Sequence, residues 1–320
     1  MSERVLVTGG AGFVGSNLVK ALVASRHEVT VLDNLSSGYR SNLESVPTIR
    51  FVEGDIRDPH AVDEAIRGAA VVFHLAASVG NKRSIESPIA DAEINVLGTL
   101  RVLEAARAHN VRKIVASSSA GIFGELKTLP IREDHPLEPD TPYGSTKLCS
   151  EKLCLAYSKL YDIEAICLRY FNVYGPGQRF DAYGNVIPIF AFQMLRGEPL
   201  MVFGDGAQTR DFVNVADVVQ ANLKAARTKA VSGAFNIGSG SSISINHLIA
   251  LLHTASGIEP TVRYAPPRPG DVRDSLADIS AAATALGFAP TVRIEDGLAE
   301  YTRWAKEEIR RTLRRDVVSE

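Results

Sequence analysis

The chain has 320 residues, of which 45% are hydrophobic and 22% charged, and a formal net charge of −2. That is enough for one large globular domain or two smaller ones, and it argues against nucleic acid as a partner, because no basic block is present. No run of 18 apolar residues predicts a membrane-spanning helix, and the first apolar residues read as a strand rather than a secretory leader.

Residues 4–8 predict a buried strand, and Thr8-Gly-Gly-Ala-Gly-Phe-Val-Gly-Ser16 leads from it into a helix over residues 13–25. Gly9, Gly12 and Gly15 fit G-x-x-G-x-x-G, and Gly10, Gly12 and Gly15 fit G-x-G-x-x-G. Either spacing permits a tight turn whose backbone N–H groups approach a pyrophosphate at the helix N-terminus. Residues 28–33 predict a second strand ending in Asp33, 18 residues after Gly15. A carboxylate there accepts bonds from ribose hydroxyls and repels a 2′-phosphate, which points to NAD rather than NADP. A third strand over 50–53 is followed by Asp55 and Ile56, placed to meet an adenine edge or to precede a helix N-cap near Asp58. Residues 71–75 predict a fourth strand with His74 packed at its end, and a helix follows over 88–109.

A fifth strand is predicted over 112–117, a helix after Pro142, and a sixth strand over 164–169. The helix carries Tyr143 and Lys147, which at i and i+4 share a face. A free phenol has a pKa of about 10. A neighbouring cation lowers it and makes a general base suited to an alcohol. Cys149, Cys154 and Cys167 have neither metal nor disulfide spacing and are expected as small, reduced core residues; no metal is expected. A reducing cytoplasm fits. β-branched runs alternating with helices predict an α/β fold with a doubly wound parallel sheet. After about residue 172 glycine, proline and aromatics crowd residues 174–184, and residues 264–270 are also loop-rich. The expected division is a cofactor domain over 1–172, with returns to the sheet over about 211–255, and a smaller substrate lobe over 173–210 and 256–320. The charge-rich run 306–315 reads as the solvated end of a terminal helix.

Taken together, these residues resemble the extended short-chain dehydrogenase/reductase family, in its nucleotide-sugar epimerase branch. Besides the glycine turn, the marks are Asp33-Asn-Leu-Ser-Ser-Gly38, His74-Leu-Ala-Ala77, Asn95-Val-Leu-Gly-Thr99, Ser117-Ser-Ser-Ala-Gly-Ile-Phe-Gly124 and Pro142-Tyr-Gly-Ser-Thr-Lys147. Leu168-Arg-Tyr-Phe-Asn-Val-Tyr-Gly175, Gly204-Asp-Gly206, Arg210-Asp-Phe212 and Arg268-Pro-Gly-Asp271 complete the series. The resemblance implies a Rossmann-type sheet and a catalytic Ser119, Tyr143 and Lys147. Ser119 would bond the reacting sugar hydroxyl, Tyr143 would remove its proton, and Lys147 would hold the nicotinamide ribose and lower the Tyr143 pKa. NAD would lie against Gly9, Gly12, Phe13, Val14, Gly15, Asp33, Asn34, Asp55, Ile56, Leu75, Ala76, Ala77, Asn95, Tyr143, Lys147 and Tyr170. The nucleotide sugar would meet Ser119, Asn172, Asn185, Val186, Phe203, Arg210, Arg268, Asp271 and Ser275.

The implied reaction is inversion at C4 of a UDP-hexose through a 4-keto sugar that turns about its diphosphate link. Ala120 and Gly121 follow Ser119 where the dehydratases and decarboxylases carry an acid, which disfavours those branches. Ser275 occupies the position where a tyrosine narrows the sugar pocket, so N-acetylated as well as plain hexoses are expected. Val79 and Phe123 depart from residues common among plain-hexose epimerases. A UDP-glucuronate 4-epimerase or decarboxylase on the same frame, and a non-catalytic NAD-binding module, are the competing readings. A homodimer through the helix after residue 88 and the helix carrying Tyr143 is also implied; Leu148, Leu153 and Leu155 would serve there or in ordinary core.

Overall fold

The computed structural model describes residues 2–180, 184–267 and 272–318, except for the side chains of 313–318. The first unit is β1 (Arg4–Thr8), α1 (Phe13–Ala24), β2 (Glu28–Asp33) and β3 (Arg50–Glu53). Then come α2 (Pro59–Ile66), β4 (Val71–His74), α3 (Thr99–Ala108), β5 (Lys113–Ser119), α4 (Pro142–Leu160) and β6 (Glu164–Tyr170). After a stretch of smaller elements, α5 (Val215–Arg227) leads to β7 (Gly233–Ile237), and α6 (Ile294–Val318) ends the described chain.

The seven strands form one sheet in the order β7-β6-β5-β4-β1-β2-β3, and every ladder is parallel. Alternation along each strand sends side chains to two faces. Val5 and Val7 pack with Leu18, Val19 and Leu22 of α1 and with Val218 and Ala221 of α5. Leu6 packs on the opposite face with Val62 and Ile66 of α2, Val102 and Leu103 of α3 and Cys154 of α4. Burial on both faces explains why the strands read as continuous apolar runs. The winding reverses between β1 and β4, which leaves a crevice at the carboxyl ends of those strands.

The strand ends differ a little from expectation, and the differences matter. β5 runs on to Ser119 and β6 to Tyr170, so both residues sit at the last ladder position, paired with each other. The helix expected over 88–109 runs from Pro88 to Ala108 but widens into a π turn over Glu93–Gly98. A short helix over Asn81–Glu86 precedes it. Cys154 and Cys167 are buried as expected, whereas Cys149 is exposed, because it lies on the outer side of α4. Leu153 and Leu155 pack against the second core face, and Leu148 against a smaller cluster containing Phe123 and Phe171.

The later part has a separate apolar cluster that includes Ile187, Phe190, Met194, Leu248, Leu252, Leu298 and Tyr301. Its strands are short pairs: Asn172–Tyr174 with Phe212–Asn214, Thr209–Arg210 with Ile243–Ser244, and Leu200–Phe203 with Val262–Ala265. No helix among the described residues is long and apolar enough to cross a membrane.

Candidate active site

The turn after β1 is shaped by close approach. A Cβ on Gly9 would stand 2.7 Å from Ala76 N, and Gly9 has φ +70°, so only glycine fits without strain. A Cβ on Gly15 would stand 2.1 Å from the Gly9 carbonyl oxygen. Gly12 caps α1 without any side-chain bond, and no acidic residue occupies the first turn, which holds Phe13, Val14 and Gly15. The N–H groups of that turn lack intrahelical acceptors and attract an anion.

Asp33 stands next to this turn. Its two oxygens accept from Ala11 N and Leu35 N, both at 2.8 Å. Burial raises its pKa, and these two bonds pull it back. Each oxygen retains a lone pair for a further donor. Asp55 is otherwise engaged: Arg57 grips it through two bonds of 2.9 Å and Asn34 donates at 2.8 Å. Chiefly through Arg57, its pKa falls to about 2. The α2 N-cap is Asp58, which accepts from His60 N at 2.9 Å. The Ile56 side chain is buried in the second core face. The glycine turn, its bare helix end and the Asp33 carboxylate fit the phosphates and ribose of a dinucleotide.

Beyond β4 a polar chain runs under the crevice. Leu75 N donates to Thr8 O at 3.1 Å and Ala76 N to Thr8 Oγ1 at 3.2 Å. Thr8 Oγ1 lies 2.8 Å from His74 Nδ1, and His74 Nε2 lies 3.0 Å from Thr99 Oγ1, which donates to Asn95 O at 2.5 Å. With a neutral ring, only one arrangement of protons satisfies all of these: Thr8 donates to Nδ1, and Nε2–H donates to Thr99. Burial holds the ring neutral, with its pKa lowered to about 3. The Asn95 side chain accepts from Ser78 N at 2.8 Å and donates to Ser78 O and Thr146 Oγ1 at 3.1 and 3.0 Å. Asn95 therefore ties the loop holding Ala77 and Ser78 to α4 from within the π turn.

Ser119, Tyr143 and Lys147 come together at the end of β5. Thr141 caps α4 by accepting from Gly144 N at 3.2 Å. A Cβ on Gly144 would lie 2.3 Å from Gly121 O, so glycine here seats α4 directly on the turn that follows Ser119. That contact brings the Tyr143 ring beside Ser119: a Cβ on Gly121 would stand 3.4 Å from Ser119 Oγ and 3.7 Å from the Tyr143 ring. Lys147 is buried, and its Nζ donates to Ser117 Oγ at 3.3 Å. Burial lowers its pKa to about 8. The Tyr143 pKa is raised, not lowered as expected from its lysine neighbour: burial dominates, the nearby Ser119 hydroxyl opposes it, and the Asp91 charge adds to it.

Two groups supporting this cluster escaped the sequence reading. Asp91 is buried, accepts from Thr146 Oγ1 at 2.6 Å, and leaves Oδ1 without a partner among the described residues. Glu151 receives Arg169 Nε and Nη2 at 3.0 and 2.8 Å and Ser118 Oγ at 2.8 Å. This buried pair bolts α4 to β5 and β6 behind Ser119. Its signal was present in the spacing of 143, 147 and 151, which repeats every four residues.

The other expected residues are more dispersed. The Tyr170 hydroxyl pairs with Asn222 of α5 at 2.8 Å, and its ring packs against the first core face. Asn172 Nδ2 donates to Asp211 O at 3.1 Å, and Asn185 Nδ2 to Val173 O at 3.3 Å; Asn185 precedes the helix that begins at Val186. The Phe203 carbonyl accepts from Gln208 at 2.7 Å. Arg210 Nη1 donates to the carbonyls of Thr209 and Arg273 at 2.8 and 3.1 Å. Ser275 is buried beside the segment that pairs with Ile131. Phe123 is fully buried against Phe171 and His135, so it belongs to the core and not to a sugar pocket. Val79 is exposed. Arg268 and Asp271 lie outside the described residues.

Residues 5–238 match the model of the NAD dependent epimerase/dehydratase family. The chain is 40% identical to the UDP-glucose 4-epimerase of Mycolicibacterium smegmatis over 307 residues, which is 93% of this chain and 96% of the relative. It is similar to the crystal structure of UDP-glucose 4-epimerase with UDP-glucose from Thermotoga maritima, with a TM-score of 0.91 and 39% identity over 96% of this chain and 99% of that one. It also matches UDP-N-acetylglucosamine 4-epimerase from Methanobrevibacter ruminantium in complex with UDP-N-acetylmuramic acid, with a TM-score of 0.92 and 33% identity over 96% and 99% of the two chains.

Proposed function

The chain belongs to the NAD dependent epimerase/dehydratase family, and from that premise we propose that it inverts C4 of a UDP-hexose through a transient 4-keto sugar. The observation that carries this reading is the placing of the Ser119 hydroxyl and the Tyr143 ring together against Gly121 at the carboxyl end of β5, one helical turn from the Lys147 ammonium. Ser119 holds the sugar hydroxyl. Tyr143 takes its proton and later returns it. Lys147, charged at neutral pH, holds the nicotinamide ribose through its remaining donors. When bound, the nicotinamide supplies a hydride acceptor and then a hydride donor, and ends the cycle as it began. Asp33 and the glycine turn hold the adenosine side and favour NAD over NADP.

The sugar must turn over between the two hydride transfers, so binding energy is concentrated on the nucleotide. Asn172, Asn185, Val186, Phe203, Arg210, Arg268 and Asp271 are assigned to that anchor, with arginine suited to paired phosphate oxygens. Ser275 leaves room for a 2-acetamido group, so UDP-N-acetylglucosamine and UDP-N-acetylgalactosamine are included among the substrates. Similarity to both a UDP-glucose and a UDP-N-acetylglucosamine 4-epimerase supports this range. The protein is further proposed to act as a homodimer through the helical segments from Asn81 to Ala108 and α4, where Ile85, Ile89 and Leu97 are exposed; a monomer in sedimentation at working concentration contradicts this.

The test is incubation of the pure protein, without added NAD, with UDP-glucose, UDP-N-acetylglucosamine and UDP-glucuronate, followed by separation of products. Interconversion of C4 epimers without NADH accumulation is expected for the first two. Loss of carbon dioxide, or stoichiometric NADH, refutes epimerisation.

A further inference from the structure

Three separate segments meet beside the glycine turn and the start of α1. The loop after β2 is the first: Tyr39 N and Asn42 Nδ2 both donate to Ala11 O, at 3.0 and 2.8 Å. The second is the loop around Pro176, whose carbonyl accepts from Asn17 Nδ2 of α1 at 3.0 Å. A Cβ on Gly177 would approach Asn17 Nδ2 at 3.3 Å, with Phe13 next nearest at 3.6 Å. The third is α6, whose Tyr301 hydroxyl donates to Gln178 O at 2.7 Å.

Arg179 joins all three. Its guanidinium lies 3.8 Å from the centre of the Tyr39 ring, and its Nε donates to Glu308 of α6 at 2.5 Å. The Arg179 and Glu308 side chains are only 18% and 11% exposed, so water screens this pair far less than a surface pair. A weaker tie, Arg311 to Glu44 at 3.4 Å, links α6 to the same β2 loop. Arg179 Nη1 is buried and has no acceptor among the described residues. Leaving a charged donor unpaired is costly, unless an oxygen of a ligand completes it.

We propose that Arg179, stacked on Tyr39 and paired with Glu308, is the pin of a clasp that retains the bound dinucleotide, its free Nη1 completed by a ligand oxygen. The clasp rests on the dinucleotide site described above and is independent of which sugar is turned over. Tyr39 is half-exposed, so its removal leaves the core intact. The clasp sets the rate at which the cofactor leaves, because escape requires the β2 loop, the Pro176 loop and α6 to part together.

The test uses the full chain loaded with fluorescent NADH and chased with excess NAD. Arg179→Ala and Tyr39→Ala should each release NADH roughly tenfold faster or more, and Glu308→Gln should fall between them and the parent. Arg179→Lys keeps the charge and loses the planar stack, and should release like Tyr39→Ala. Release within about twofold of the parent in both Arg179→Ala and Tyr39→Ala, with binding retained, overturns the clasp alone. Failure of the parent chain to bind NADH at all overturns the dinucleotide site and the clasp together.

Discussion

The carboxyl edge of the large sheet and the lobe of short paired strands solve different problems. At the sheet edge, position is fixed by backbone approach: Gly9 against Ala76, Gly15 against Gly9, Gly144 against Gly121. Polar groups there bond to one another in closed sets, such as Thr8, His74, Thr99 and Asn95. In the lobe, the candidate anchors Asn172, Asn185 and Arg210 rest on two- and three-residue strands or helix ends, and each donates to a nearby carbonyl. On the proposed reading, one region holds a reacting group still, and the other grips a nucleotide while its sugar moves. Rigidity belongs where orientation sets the rate, and looseness where a product must turn.

The contrast is broken most directly at its chemical centre. Tyr143→Phe removes the phenol oxygen beside Ser119 that is proposed as the base and should reduce kcat by about 10²- to 10⁴-fold. The glycine turn is untouched, so bound NAD measured after denaturation should stay at the parent level. Full activity in that variant would remove the phenol from the reaction. The frame behind it is probed by Glu151→Ala, which strands the buried Arg169 cation and should cost about 3–5 kcal/mol in urea unfolding. A change below about 1 kcal/mol would mean the pair does not bolt α4 to the sheet. The smallest effect belongs to the lobe. Ser275→Tyr should lower turnover of UDP-N-acetylglucosamine relative to UDP-glucose by roughly tenfold. Equal loss on both substrates would show that other residues set the width of the pocket.

These two regions were also unequally legible in the sequence. The sheet could be read because doubly buried strands are apolar throughout, and the glycine turn because only glycine tolerates those approaches. Tyr143 and Lys147 followed from helical spacing. The sign of the Tyr143 shift did not, since spacing reports a neighbour but not the loss of water around both groups. Asp55 was ambiguous for a similar reason: its fate is decided by Arg57, two residues on, and not by the strand that precedes it. Arg210 and Ser275 carry no periodic signal at all. Their assignment came from motif resemblance, because short irregular strands leave side-chain direction to tertiary packing. β7 was foreseen only as a region, its run Gly233–Ile237 being too short and mixed to stand out.

The widened turn over Glu93–Gly98 sets the phase between the two parts of its helix. Winding the same residues as a regular spiral would favour the helix in isolation, but it would swing everything downstream by about 100°. The threonine at 99 would leave the imidazole, and the asparagine carbonyl would no longer reach Ser150, now 2.6 Å away. An irregularity that weakens one helix is thus what keeps its two halves in register with separate neighbours.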